Sequence, residues 1–195
     1  MHKSIINLNE IKKEIHSKNL KKNSIVRIIA VSKTFSMEHI IHLINHGHVD
    51  FGENKVQEAL DKWTNVKMDF PNLNLHMVGK LQTNKVKNAV KLFDYIHSLD
   101  SIKLAKKISE EENKIKKKLK IFIQVNIGNE IQKNGIPVID LPNFYNICTK
   151  ELNLNIVGLM CLPPVNIDPS SYFIQMNSLA NKLSLKELSM GMSSD

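Results

Sequence analysis

Lys33 is the residue whose type and placement could do chemistry. It follows Ile28-Ile29-Ala30-Val31-Ser32, so it is delivered just where an apolar, β-branched run stops. Such a run reads as a fully buried strand of a parallel sheet. A lysine at the end of that strand, partly desolvated, loses some of its preference for the charged form, and a neutral amine can attack a carbonyl to form a Schiff base. Aldehyde capture is the chemistry this suggests. The same heptapeptide, ending at Thr34, also fits a lysine that simply reaches into solvent, because the chain is rich in lysine. Two cysteines, Cys148 and Cys161, have no zinc-like spacing and read as buried small hydrophobes.

A reactive lysine needs elements that position it. After the first run, short apolar runs recur at Val49-Asp50-Phe51, Leu75-His76-Met77-Val78, Tyr95-Ile96-His97-Ser98, Ile121-Phe122-Ile123-Gln124-Val125, Ile156-Val157-Gly158-Leu159-Met160 and Glu187-Leu188-Ser189-Met190. Stretches with helical spacing lie between them, and another, with Leu8, Ile11, Ile15 and Leu20 on one face and Asn9 at its start, precedes the first. Ser36 can cap the helix after Lys33, Asp100 or Ser101 the helix after the fourth strand, and Asp168-Pro169 the helix before the last. In the lysine-rich helix beyond Ser101, Glu110 with Lys114 and Glu112 with Lys116 are favourable i,i+4 pairs on a solvated face. Strand and helix alternate with no break, which predicts a single α/β domain over residues 1–195 with a parallel sheet. About seven such units favour a (β/α)8 TIM-type barrel, with a flavodoxin-like sheet as the alternative. In a barrel the residues just past the strands share one mouth: Lys33, Asn54, His76, Ser98, Asn126, Met160 and the Ser193-Ser194 pair. A strand histidine such as His76 more commonly satisfies its hydrogen bonds in the core than touches a ligand.

The composition sets the outer bounds. At 195 residues, 42% hydrophobic and 24% charged, the chain can bury a sizeable core. No apolar run has membrane-spanning length and Met1-His2-Lys3-Ser4 does not open a secretory signal, so the expected compartment is the cytoplasm. The net charge of +8 comes mostly from dispersed lysine, with no arginine cluster and no interleaved aromatics. A nucleic-acid partner is therefore not indicated, whereas a small phosphorylated ligand fits.

Five segments, in order, resemble one known family. They are Ala30-Val31-Ser32-Lys33, Phe51-Gly52-Glu53-Asn54-Lys55-Val56-Gln57-Glu58, His76-Met77-Val78-Gly79-Lys80-Leu81-Gln82-Thr83-Asn84-Lys85, Gly158-Leu159-Met160, and Leu188-Ser189-Met190-Gly191-Met192-Ser193-Ser194-Asp195. Each lies at a strand end, and together they are similar to the pyridoxal phosphate homeostasis proteins, relatives of the alanine racemase barrel. The resemblance implies pyridoxal 5'-phosphate as cofactor, an internal aldimine on Lys33, and Asn54, Met190 and Ser193 near the cofactor. Lys133 matches a second family lysine outside that linkage. Read locally, Glu53 and Asn54 could instead cap the next helix, and Gln82, Thr83 and Asn84 could be a first helical turn. Ser193 and Ser194 fall where barrels hold phosphate. The sequence stops at Asp195, where the family continues into a helix and an eighth strand with an Arg-Ile-Gly segment, which leaves the first and last strands with unpaired edges. The implied function is a non-catalytic, monomeric carrier in vitamin B6 homeostasis, passing the cofactor to apo forms of pyridoxal-phosphate enzymes. Racemases of this fold use an opposing tyrosine from a second domain, and only Tyr95, Tyr145 and Tyr172 are present here. A racemase-like enzyme is the alternative.

Overall fold

The computed structural model describes residues 2–18, 26–128, 134–164 and 167–191. Helices and strands follow one another as α1 (Lys3–Lys18), β1 (Ala30–Val31), α2 (Met37–Asn45), β2 (Asp50–Glu53), α3 (Val56–Asp69), β3 (Asn74–Met77), α4 (Val86–Leu92), β4 (Tyr95–Leu99), α5 (Ile102–Ile115), β5 (Lys120–Asn126), β6 (Ile136–Pro137), α6 (Leu141–Asn146), β7 (Ile156–Cys161), α7 (Ser170–Lys182) and β8 (Glu187–Ser189). The ladders are parallel and join the strands in the order β1-β2-β3-β4-β5-β7-β8, with β6 paired to the end of β5. Two-residue β6 has no sequence signal, being too short to show a period.

The sheet is strongly curled. β4 and β8 stand three strand spacings apart in that order, about 14 Å in a flat sheet. Yet Nδ1 of His97 on β4 lies 2.8 Å from Oγ of Ser189 on β8. Arg27, leading into β1, comes within 4.0 Å of Glu187 on β8, so the two ends of the sheet also face each other. Among the described residues no ladder joins β1 to β8. The chain forms the expected TIM-type arrangement as a half-barrel of seven strands in line.

Alternation along each strand gives the sheet two faces. Outward, Phe51, Leu75, Ile96, Ile121, Ile123 and Leu159 pack with Trp63, Val86, Ala89 and Ile108 of the helices into the main core. Inward, Tyr95, Phe122 and Met160 form a smaller cluster inside the curl. No helix among the described residues is long and apolar enough to cross a membrane.

Local departures from the sequence reading have local causes. β1 pairs only over Ala30–Val31, and Val31 is exposed rather than buried, because β2 is its one ladder partner. Helix α1 begins at Lys3 instead of Asn9, since the His2 carbonyl and its Nδ1 accept from the N–H groups of Ile5 and Ser4. Of its expected stripe, Leu8 is the fully buried member among the described residues, Ile11 is exposed, and Leu20 lies outside the described residues. On α5, Ser101 is the cap, accepting from the N–H of Leu104 at 3.3 Å. Within it the ion pairs are Lys107 with Glu110 (3.2 Å) and Glu111 (3.0 Å) and Lys114 with Glu111 (2.8 Å), not the expected ones. Glu112 turns inward, accepts from the N–H of Leu119 at 2.7 Å, and burial pushes its carboxyl up.

Candidate functional site

Parallel strands open all their C-terminal ends on one side, and the residue before Lys33 is fixed there through every polar group it has. The N–H of Ser32 donates to the Gly52 carbonyl at 2.9 Å, its Oγ donates to Oε1 of Glu53 at 2.8 Å, and its carbonyl accepts from Nζ of Lys62 at 2.7 Å. Glu53 is fully buried on the helix-facing side of β2. Its Oε1 also accepts from Lys62 Nζ and from Nε1 of Trp63, each at 2.9 Å, while Oε2 has no partner among the described residues. Helix α3 thus clamps the end of β1 through one carboxylate. Lys33 itself is half-buried, and among the described residues its amine has no hydrogen-bond or ion-pair partner.

Asn54 stands next to it, directly after β2, half-buried and with no side-chain partner among the described residues. Its backbone fits against Gly79, where a Cβ would collide with the Asn54 carbonyl oxygen. The N–H of Val78 donates to the Glu53 carbonyl at 3.0 Å, so the ends of β2 and β3 are stitched together. Neither Glu53 nor Asn54 caps α3, which begins after Lys55 without a side-chain cap. Thr83–Lys85 forms a 3₁₀ turn into α4, matching the expected first turn. Met190 and Gly191 follow β8 at the same end, with Met190 exposed. Ser193, Ser194 and Lys133 lie outside the described residues.

Inside the curl is a polar chain that the sequence reading did not assemble. Nε2 of His76 lies 3.1 Å from Oδ1 of Asp50, Nδ1 of His76 lies 3.0 Å from Nε2 of His97, and Nδ1 of His97 lies 2.8 Å from Oγ of Ser189. His76 stacks on Tyr95 and His97 on Phe122, at centroid distances of 4.2 and 4.4 Å. The Tyr95 hydroxyl accepts from Arg27 at 2.7 Å and from Lys120 at 2.9 Å. Burial pushes His97 down to about 3 and His76 below its ordinary range. Burial opposes the charge on Asp50, but the His76 hydrogen bond and the nearby Arg27 guanidinium outweigh it, and its carboxyl is lowered. His76 is therefore a hydrogen-bonded interior histidine and not a residue of the mouth. The available signal was Tyr95 and His97 at alternate positions of one strand, which places both on one face. Ser98 points the other way, its Oγ buried without a partner among the described residues.

Both cysteines are buried, and burial pushes their thiols up to about 12 at Cys148 and about 11 at Cys161, so neither is a nucleophile. Among the described residues no group of His, Cys, Asp or Glu could hold a metal ion.

A curled parallel β/α sheet with a lysine just past its first strand defines a class. The sequence model of the alanine racemase N-terminal domain matches residues 6–195, so the chain is of that class. Within it, the chain belongs to the pyridoxal phosphate homeostasis protein family. It is 34% identical to the family member of Buchnera aphidicola subsp. Schizaphis graminum, over 97% of this chain and 87% of that protein. The Vibrio cholerae member is 36% identical over 88% of this chain and 77% of that protein. Among solved structures, PipY of Synechococcus elongatus PCC7942 without PLP superposes with a TM-score of 0.84 at 34% identity, covering 95% of this chain and 89% of that one. PipY with PLP bound gives 0.81 over the same shares. An alanine racemase of Clostridium difficile 630, 14% identical with a TM-score of 0.67 over 93% of this chain and 47% of its own, shares the fold alone.

Proposed function

We propose that this chain binds pyridoxal 5'-phosphate and serves its homeostasis, holding the cofactor covalently through the Lys33 amine. The observation that carries the reading is the pair Lys33 and Asn54, a half-buried amine and carboxamide without partners among the described residues, at adjacent strand ends of one mouth. The residues fit the group. When bound, the cofactor supplies an aldehyde that an amine captures reversibly and a phosphate that backbone N–H groups can hold. Lys33 is the nucleophile, and its backbone does not swing because Ser32 is pinned to Gly52, Glu53 and Lys62. Asn54 would hold the bound group beside Lys33, and Met190 and Ser193, past β8, would hold its phosphate. PipY, at 34% identity with PLP bound, supports the binding of the cofactor in this reading.

Binding is favoured over turnover by where the tyrosines stand. Tyr95 begins β4 at the end of the sheet opposite the mouth and is committed to Arg27 and Lys120. Tyr145 and Tyr172 lie on α6 and α7, packed against the main core. Among the described residues no tyrosine faces Lys33 as the second acid/base group of a racemase would. The carrier works as a cytoplasmic monomer and delivers the cofactor to apo forms of pyridoxal-phosphate enzymes.

Titrating the protein with pyridoxal 5'-phosphate and following its absorbance tests this. The expected result is a saturable shift of the cofactor band in the wild type and none in Lys33→Ala. An unchanged shift in Lys33→Ala overturns the reading.

A further inference from the structure

The interior chain from Asp50 to Ser189 has a direction. Imidazole and hydroxyl groups can each donate or accept, so such a chain could run either way, but an ionised carboxylate only accepts. With Asp50 ionised and both histidines neutral, His76 must donate from Nε2 to Oδ1 of Asp50 at 3.1 Å. Nδ1 of His76 is then an acceptor, and His97 must donate to it from Nε2 at 3.0 Å. Nδ1 of His97 is an acceptor in turn, and the Ser189 hydroxyl must donate to it at 2.8 Å. Both histidines are 1% exposed, so water does not compete for these positions.

The far end of the chain matters because of where Ser189 sits. Ser189 is the last residue of β8, which among the described residues has one ladder, with β7. Among the described residues, the polar side-chain ties from β8 to the rest of the curl are Ser189 to His97 and, more loosely, Glu187 to Arg27 at 4.0 Å. Met190 and Gly191 follow immediately.

We propose that Asp50, acting through His76 and His97, sets the Ser189 hydroxyl as a donor across the curl and so fixes the end of β8 at the mouth. All three are positioning residues for the Met190–Gly191 segment. The consequence for the ligand rests on the reading that this segment receives the phosphate of pyridoxal 5'-phosphate. The carboxylate is what breaks the symmetry of the chain, its Oδ1 accepting both from His76 and from Nδ2 of Asn74 at 3.1 Å; a carboxamide at position 50 can donate to His76 and let the order through His97 to Ser189 reverse, with the Asn74 amide turning over to present its oxygen.

Histidine tautomers report this directly. In ¹⁵N NMR of the wild-type protein, His76 and His97 are expected as neutral rings protonated on Nε2, and in Asp50→Asn a population protonated on Nδ1 appears at both. Ser189→Ala is expected to speed amide exchange over residues 187–191 and to weaken pyridoxal 5'-phosphate binding by about fivefold, one net hydrogen bond, with Ser189→Thr restoring both. A wild-type His97 protonated on Nδ1, or Ser189→Ala exchanging and binding as the wild type does, overturns the proposal. If the wild type takes up no cofactor while the tautomers and the exchange behave as stated, the positioning chain stands and the cofactor reading is what fails.

Discussion

At the scale of residues, the interior histidines make the fold sensitive to acid. His97 has an ordinary value of 6.5 when unfolded and is held at about 3 in the folded chain. Between those values the unfolded chain binds a proton that the folded chain refuses, so this contribution is intact above 6.5 and is lost as the pH falls. The slope approaches about 1.4 kcal/mol per pH unit. Asp50 acts in the same sense, because its lowered carboxyl stabilises the folded state above its unfolded value and ceases to do so in acid. Urea unfolding from pH 7 to pH 4 is expected to show falling stability, and His97→Gln a distinctly flatter profile. Equal slopes in the two proteins would mean that His97 is not the buried neutral group described here.

At the scale of elements, the clamp between α3 and β1 and the contact between β2 and β3 set the mouth. Lys62 is 15% exposed on its side chain and Glu53 is 0% exposed, so Lys62→Met strands a buried carboxylate. The expected cost is about 3 kcal/mol in chemical denaturation, largely relieved in the Lys62→Met, Glu53→Gln double variant. Gly79→Ala drives a Cβ into the Asn54 backbone and is expected to weaken cofactor binding more than it lowers the melting temperature, read by absorbance titration beside calorimetry. Gly158 meets the Glu187 carbonyl in the same way and is the point where β7 admits β8. These relations explain what was legible in the sequence. Buried strands bounded by polar residues announce themselves, so the strands from Asp50 onward, except β6, fall within a residue or two of their expected positions. Glu53 reads locally as a helix cap because its partners Ser32 and Trp63 arrive through neighbouring elements. His97 and Ser189 are 92 residues apart, and nothing local links them.

At the scale of the whole molecule, the half-barrel has an inside and two edges. Its curl is visible only in contacts across the inside, which is why strand count and alternation gave the architecture but not the polar chain within it. Among the described residues, β2 to β5 and β7 are paired on both sides, with β3 to β5 farthest from the ends, whereas β1 and β8 are each paired on one. Hydrogen exchange is therefore expected to protect β3 to β5 most strongly and β1 and β8 least, and uniform protection would contradict an open sheet. The mouth gathers Lys33, Asn54 and the end of β8 on one side of that sheet, and the central claim is that the amine there takes the cofactor. Borohydride reduction of the protein after incubation with pyridoxal 5'-phosphate, followed by mass analysis of its peptides, tests this most directly. The account predicts the phosphopyridoxyl mass on the peptide containing Lys33 at near-stoichiometric yield, and label spread over other lysines with Lys33 unmodified would contradict it.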